Sequence, residues 1–104
     1  MEVKNSIIMG GSKIPHQNYI GDSVIGEGCN LGAGTKIANL RLDKADIKVM
    51  GMSTGRQKLG AILGDGVQTG INASIDAGSL IGNDTYIGPG AVASGVILPN
   101  SRIY

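Results

Sequence analysis

The stretch that decides the fold is residues 63–93, LGDGVQTGINASIDAGSLIGNDTYIGPGAVA, in which every sixth position holds a related residue. These positions are Leu63, Thr69, Ile75, Ile81, Ile87 and Ala93. Glycine directly follows most of them, as at Gly64 and Gly82. A spacing of six fits no α-helix, whose side chains return to one face about every 3.6 residues. It fits strands of period two that a sharp bend interrupts once per repeat.

A second block with the same spacing precedes this stretch. Steps of six from Tyr19 reach Ile25, Leu31 and Ile37. Small residues stand four positions after the large ones, at Ser23, Cys29, Thr35, Val67, Ala73, Ser79, Thr85 and Ala91, with the larger Ile97 at the end. Short strands joined by glycine-assisted bends and stacked in register form a parallel β-helix. We therefore predict an all-β fold of this kind, with a glycine-rich sandwich as the alternative.

The two blocks are out of phase, which predicts an excursion between them. From Ile37 to Leu63 there are 26 positions, which is not a multiple of six. The excursion, residues 40–60, holds five of the nine basic residues: Arg41, Lys44, Lys48, Arg56 and Lys58. A cationic loop on a rigid scaffold can hold an anionic ligand, although a solvated surface loop has a similar composition.

Composition excludes several classes of protein. The chain of 104 residues contains 18 Gly, no Phe and no Trp, yet 41% of it is hydrophobic, which is too much for a disordered linker. A formal charge of +1 gives no basic field for nucleic acid. One Cys and one His cannot form a zinc site within one chain. No apolar run approaches the roughly 18 residues of a membrane span, and we expect a cytoplasmic protein.

Polar groups cluster around the first repeats. His16, the only histidine, can accept a proton near neutral pH and is a candidate general base. Tyr19, Asn30 and Asn39 are polar side chains among repeats that otherwise alternate aliphatic residues and glycine. A lone histidine is more often structural, so the hypothesis depends on these neighbours. Cys29 occupies a small inward position, and we interpret it as part of the core.

The chain resembles the hexapeptide-repeat acyltransferases, which are left-handed parallel β-helices. The stretches 16–22 (HQNYIGD) and 25–35 (IGEGCNLGAGT), followed by Asn39, are similar to the C-terminal domain of bifunctional sugar-1-phosphate nucleotidylyltransferase/glucosamine-1-phosphate N-acetyltransferases. The stretches 53–60 (STGRQKLG) and 68–72 (QTGIN) resemble the archaeal-type branch. The His-x-x-Tyr pattern, with Asn fourteen and twenty-three residues after the His, is more specific than the repeats alone.

The resemblance implies a direct acetyl transfer from acetyl-CoA, a co-substrate, to an amino-sugar 1-phosphate in UDP-N-acetylglucosamine biosynthesis, with no metal required. It implies that His16 is the general base. The implied sugar-phosphate contacts are Lys4, Tyr19 and Asn30, with either Lys44 or Lys48, because Ala45 stands where relatives usually carry lysine. Asn39 would lie where the amino sugar meets the acetyl group, and Gly70, Ile71 and Pro89 would line the coenzyme A groove. Glucosamine- and galactosamine-1-phosphate both remain open as substrates.

The resemblance also implies how the domain is used. Residues 1–104 would be one left-handed β-helix domain, the C-terminal part of a longer enzyme with a preceding nucleotidylyltransferase domain. Relatives form homotrimers with active sites between subunits, so the chain itself is the expected partner, with neither nucleic acid nor membrane involved. The alternative is a catalytically silent assembly or regulatory β-helix of a nucleotidylyltransferase.

Overall fold

The computed structural model describes residues 2–15 and 17–104, which form a column of short parallel strands with three faces. Face 1 consists of β1 (Glu2–Lys4), β3 (Tyr19–Gly21), β6 (Lys36–Ile37), β11 (Ser74–Ile75) and β14 (Val92–Ala93). Face 2 consists of β2 (Ile7–Ile8), β4 (Val24–Ile25), β9 (Ile62–Leu63), β12 (Leu80–Ile81) and β15 (Val96–Ile97). Face 3 consists of β5 (Asn30–Leu31), β10 (Gln68–Thr69), β13 (Tyr86–Ile87) and β16 (Arg102–Ile103), and Lys13 bridges to Asn30 at its start.

The chain visits the three faces in turn, and each circuit is one coil of the column. Equivalent residues of successive coils are paired in register, as Ile25 with Leu63 and Ile75 with Ala93. The inward rows are buried, and each fully buried Ile or Leu contributes about 1.5–3 kcal/mol through the hydrophobic effect. The predicted all-β, parallel β-helix is confirmed, and its hexapeptide repeat fits the left-handed form.

The inward residue of the second coil on face 1 is Ile20, so the prediction that starts the repeat at Tyr19 is wrong. Ile20 is completely buried, whereas Tyr19 points outward and is paired with Lys36. The corner between Ile20 and Ile25 has five positions instead of six, which shifts the phase. Asp22, with a φ of 52°, makes this tighter turn. Tyr19 is therefore a surface side chain on a rigid strand.

Ile97 is also an inward residue of the large row, not a large residue at a small position. It is paired with Ile81 and packs against the core. The corner from Ala93 to Ile97 has four positions instead of six, and Gly95 turns it with a φ of 79°. Glycine adopts this left-handed conformation without the steric cost that a Cβ would bring.

The predicted excursion at residues 40–60 is confirmed, and it folds into a hairpin. The chain leaves the column after β6, forms the antiparallel pair β7 (Lys48–Val49) and β8 (Met52–Ser53), and rejoins at β9. Ile47, which is 1% exposed, anchors the hairpin against the corner at Gly78. Leu40 and Lys58 form an antiparallel bridge where the excursion begins and ends. Among the described residues, no helix is long and apolar enough to cross a bilayer.

Candidate functional site

Tyr19, Asn39 and Asp22 form a hydrogen-bonded cluster at the edge of face 1. The Asn39 amide donates one hydrogen bond to the Tyr19 hydroxyl and another to the Asp22 carboxylate, each with a donor–acceptor distance of 2.9 Å. The coil here is 17 residues long, since Tyr19 is paired with Lys36, and the same step separates Asp22 from Asn39. The shortened coil therefore stacks Asn39 directly beside Asp22.

Gly21 leaves the space that this cluster occupies. A Cβ on Gly21 would lie 2.7 Å from the Tyr19 hydroxyl oxygen and still closer to the Asn39 amide nitrogen. Lys4 is paired in register with Gly21, so its Cα lies one strand away from the cluster. The structure thus brings Tyr19 and Asn39 into contact and places the backbone of Lys4 on the neighbouring strand.

Two adjoining cavities lie beside this cluster. The smaller, of about 330 Å³, lies over face 1 and is lined by Tyr19, Lys36 and Ser74 among others. The larger, of about 500 Å³, lies between face 1 and the excursion, with Lys48 in its lining. Both cavities share Ala38 and Asp76. Together they form one groove, called the face 1 groove below.

The candidate lysines of the excursion occupy different positions. Lys48 lines the face 1 groove. Lys44 is exposed directly after the turn at 42–43, and its carbonyl oxygen accepts a hydrogen bond from the Gln57 amide. Lys58, which the sequence assigned no role, is paired with Leu40, next to Asn39, and the Leu59 N–H donates to the Asn39 carbonyl oxygen at 3.0 Å. The geometry therefore favours Lys48 and Lys58 over Lys44 as neighbours of the cluster.

An ion pair orders the start of the excursion. The Arg41 guanidinium donates to both carboxylate oxygens of Asp43, at 3.0 and 3.1 Å. The Ala45 N–H also donates to this carboxylate, at 3.0 Å. The hydrogen bonds from Arg41, followed by that from Ala45, lower the pKa of Asp43 to about 2. Both side chains line the larger cavity, so the guanidinium charge at this point is already paired.

The remaining candidate residues lie away from the Tyr19 cluster. Asn30 is exposed on face 3, paired with Lys13 and Gln68. Gly70, Ile71 and Pro89 lie at the corner between face 3 and face 1, and a Cβ on Gly70 would lie 2.6 Å from the Pro89 nitrogen. Ile71 is 57% exposed at this corner. Within one chain, the structure therefore does not bring Asn30 together with Tyr19, and it does bring Gly70 next to Pro89.

His16 lies outside the described residues. Asn18, two residues further along the chain, is buried, and its side-chain oxygen accepts a hydrogen bond from the Thr35 N–H at 2.9 Å. This bond ties the corner that precedes β3 to the next coil.

Cys29 is a core residue, as predicted. Its thiol donates a weak hydrogen bond to the Gly64 carbonyl oxygen, with a sulfur–oxygen distance of 3.2 Å. Burial raises the pKa of this thiol above its ordinary value, so the nucleophilic thiolate is disfavoured. Among residues 2–15 and 17–104, no three His, Cys, Asp or Glu side chains are grouped closely enough to hold a metal ion.

Asp22 and Lys58 are two of the site neighbours to which the sequence analysis assigns no role. Asp22 lies in the stretch that carries the family resemblance, but the spacing of six does not pair it with Asn39. A coil of 17 residues would have done so. The position of Lys58 depends on its antiparallel bridge to Leu40, where the excursion begins and ends. The hexapeptide spacing does not predict this bridge.

Comparisons with known proteins agree with this fold. The family model described as bacterial transferase hexapeptide (six repeats) matches residues 60–95. The "Bifunctional sugar-1-phosphate nucleotidylyltransferase/acetyltransferase" of Sulfurisphaera tokodaii is 55% identical over 98 residues, covering 90% of this chain and 24% of that protein. The "Bifunctional protein GlmU" of Methanocaldococcus jannaschii is 45% identical over 106 residues, covering 99% of this chain and 26% of that protein.

A more distant relative extends the same pattern. The "Bifunctional protein GlmU" of Rubrobacter xylanophilus is 40% identical over 98 residues, covering 94% of this chain and 18% of that protein. The chain spans about a quarter of the length of the first two relatives. It is a hexapeptide-repeat domain related to the bifunctional sugar-1-phosphate nucleotidylyltransferase/acetyltransferases.

Proposed function

We propose that the chain is an acetyl-CoA-dependent N-acetyltransferase that acts on an amino-sugar 1-phosphate, with His16 as the general base. The observation that carries the proposal is the hydrogen bond between Asn39 and Tyr19 beside a groove that contains Lys36 and Lys48. The family resemblance assigns Tyr19 to the sugar phosphate and Asn39 to the place where the amino sugar meets the acetyl group. These two side chains thus meet beside a groove lined by lysines and by Asp76. The names of the relatives, which include an acetyltransferase, support the same reaction class.

The chemistry needs a base, a site for the phosphate and a donor for the oxyanion. An amino sugar is mostly an ammonium ion at neutral pH, so it must lose a proton before its nitrogen attacks the thioester carbon. The His16 imidazole would accept that proton, a contribution of typically about 10²–10⁴-fold. The nitrogen–carbon bond forms, the carbon–sulfur bond breaks, and the thiol of coenzyme A leaves. No covalent enzyme intermediate is required, which is consistent with the burial of Cys29.

The phosphate needs positive charge that is not already paired. Lys48 and Lys36 line the groove, and the fold places the backbone of Lys58 next to that of Asn39. Arg41 is a weaker candidate because its guanidinium is bound to Asp43. A lysine ammonium binds phosphate as a point charge and tolerates several orientations. We therefore propose Lys48 and Lys58 as the phosphate contacts from the excursion.

We further propose a homotrimer with sites shared between subunits, in the cytoplasm. Tyr19 and Asn30 lie on different faces, so a site that needs both requires face 1 of one subunit and face 3 of another. Face 2 carries an outward row of aliphatic side chains in register, which supports self-association. The row consists of Ile7, Val24, Ile62, Leu80 and Val96.

Release of free thiol from acetyl-CoA tests the proposed function. The wild-type chain is expected to release thiol only when glucosamine-1-phosphate or galactosamine-1-phosphate is present. His16→Ala should abolish release at neutral pH while the oligomer remains intact. Equal turnover by this variant would exclude His16 as the base. Failure of the wild-type chain to bind acetyl-CoA in calorimetry would favour the silent assembly module.

A lysine series tests the phosphate contacts with a matched control. Lys48→Ala and Lys58→Ala should raise KM for the sugar phosphate while KM for acetyl-CoA stays unchanged. Lys44→Ala removes the same charge from the same excursion at an exposed position that does not line the groove, and it should leave both KM values unchanged. A rise in KM for Lys44→Ala alone would reverse this assignment.

A further inference from the structure

The polarity of the Asn39 amide is fixed by Asp22. An ionised carboxylate accepts hydrogen bonds and cannot donate them. The oxygen and nitrogen of an Asn side chain are assigned from their hydrogen-bond partners. The Asn39 atom that lies 2.9 Å from the Asp22 carboxylate must therefore be the nitrogen. The second N–H of the same nitrogen donates to the Tyr19 hydroxyl, also at 2.9 Å. Both donors of the amide are thus used within the protein.

The two bonds determine what the site offers to a ligand. The carbonyl oxygen of the Asn39 side chain is the one hydrogen-bonding atom of the amide that neither bond uses. Ala38 and Leu40, the chain neighbours of Asn39, both line the face 1 groove. The Tyr19 hydroxyl accepts from Asn39, so its own proton is available to a ligand in that groove. Asn39 is then an acceptor and Tyr19 a donor.

Asp22 itself is held in place and does not face the groove. Its N–H donates to the Lys4 carbonyl oxygen and its carbonyl oxygen accepts from the Gly60 N–H, each at 2.9 Å, so three coils fix its backbone. Asp22 lines a different cavity, of about 600 Å³, together with Asn5 and Arg56. The hydrogen bond to Asn39 is the contact that links the Asp22 side chain to the Tyr19 cluster beside the groove.

We propose that Asp22 is a positioning residue that holds Asn39 as a hydrogen-bond acceptor for the substrate amine and frees the Tyr19 hydroxyl proton for an acceptor on the acetyl donor. The inference rests on the proposed acetyl transfer. An amine that is about to attack donates hydrogen bonds through its N–H groups, which matches a carbonyl oxygen. The developing thioester oxyanion needs a donor, which an Asn39 amide already engaged with Asp22 cannot supply.

The test compares Asp22→Ala with Asp84→Ala. Both aspartates have left-handed backbones, with φ of 52° and 58°, so both variants carry the same conformational cost of alanine. Asp84 lines a separate cavity at the edge of face 3, away from the groove. Similar losses in thermal midpoint are expected for the two variants. Only Asp22→Ala should lower kcat, by about 10- to 100-fold for a misplaced reacting group, with KM for acetyl-CoA unchanged. Asp22→Asn should recover part of the loss.

A spectroscopic arm does not depend on turnover. The side-chain amide protons of Asn39, assigned by their disappearance in Asn39→Asp, should both have the chemical shifts of bonded protons in the wild-type chain. One of them should move upfield in Asp22→Ala and neither in Asp84→Ala. An unchanged signal in Asp22→Ala, or an unchanged kcat beside a moved signal, overturns the inference. If the wild-type chain releases no thiol, the proposed function fails, and the amide signal alone decides whether Asp22 holds Asn39.

Discussion

The stacking of coils predicts a large difference between two glycine-to-alanine substitutions. A Cβ on Gly26 would lie 2.6 Å from both the carbonyl carbon and the carbonyl oxygen of Gly64 in the next coil. A Cβ on Gly10 would meet no atom of the described residues within 4 Å, and Gly10 has no positive φ. The two substitutions add the same methyl group to the same column. Only Gly26→Ala places this methyl group between two coils.

The size of the effect follows from the distances. Ordinary van der Waals contact begins at 3.4 Å, so the Gly26 coil must move by about 0.8 Å against a coil spacing of roughly 4.8 Å. The Gly26 N–H donates to the Leu63 carbonyl oxygen at 2.9 Å, and this bond stretches with the displacement. Overpacking costs about 1–3 kcal/mol and a weakened hydrogen bond about 0.5–1.5 kcal/mol. Alanine also lowers the conformational entropy of the unfolded chain, which offsets about 0.4–1 kcal/mol of this destabilisation.

We therefore expect Gly26→Ala to destabilise the protein by roughly 2–3 kcal/mol, which lowers the thermal midpoint by about 10–20 °C for a domain of this size. Gly10→Ala should leave the midpoint unchanged or raise it slightly, because only the unfolded state is affected. Circular dichroism melts at one fixed protein concentration measure both, since association shifts the midpoint by mass action. Equal midpoints for the two variants would refute the stacking of Gly26 on Gly64.

Two further predictions concern the excursion and the buried thiol. Ile47→Ala should loosen the hairpin, since truncating a buried Ile side chain to Ala costs about 2–5 kcal/mol. Trypsin should then cleave the excursion at least about tenfold faster. Leu42→Ala, at a fully exposed position, is the control and should be cleaved at the wild-type rate. Cys29 should resist iodoacetamide at neutral pH in the folded chain. Because burial raises the pKa of the Cys29 thiol above the value of 9.0 for a free thiol, its stabilising contribution is complete below pH 9 and is lost as the pH rises above it. The difference in urea midpoint between the wild type and Cys29→Ala should accordingly be constant below pH 9 and change above it, and a difference that is constant to pH 11 would contradict the raised pKa.

The spacing of six predicts most of the column, because inward aliphatic residues must recur wherever each face has one strand per coil. It predicts the rows from Leu63 to Ala93 and the excursion between Ile37 and Leu63. It fails at Tyr19 and Ile97, where corners are one and two residues shorter. A corner can be shortened wherever glycine or a left-handed Asp turns the chain, as at Gly95 and Asp22. Spacing alone does not reveal how many residues a corner needs.

The candidate site is predicted only in part for the same reason. Tyr19 and Asn39 are candidates from their polarity among the repeats and from the family resemblance, and the 17-residue coil brings them into contact. The contact between Asn39 and Asp22 depends on that short coil, and a spacing of six does not predict it. Lys58 reaches the cluster through the closure of a hairpin, which is a long-range property of the excursion. The separation of Asn30 from Tyr19, by contrast, follows from the repeat, since adjacent repeats lie on different faces.

Mixing two inactive variants tests most directly whether acetyl transfer occurs at a site shared between face 1 of one subunit and face 3 of its neighbour. Asn39→Ala and Asn30→Ala should each release little thiol alone. When the two are unfolded together and refolded as mixed trimers, about a quarter of the sites pair an intact face 1 with an intact face 3, so about a quarter of the wild-type rate should return. Failure of the mixture to exceed the separate variants, although mixed trimers have formed, would contradict the shared site.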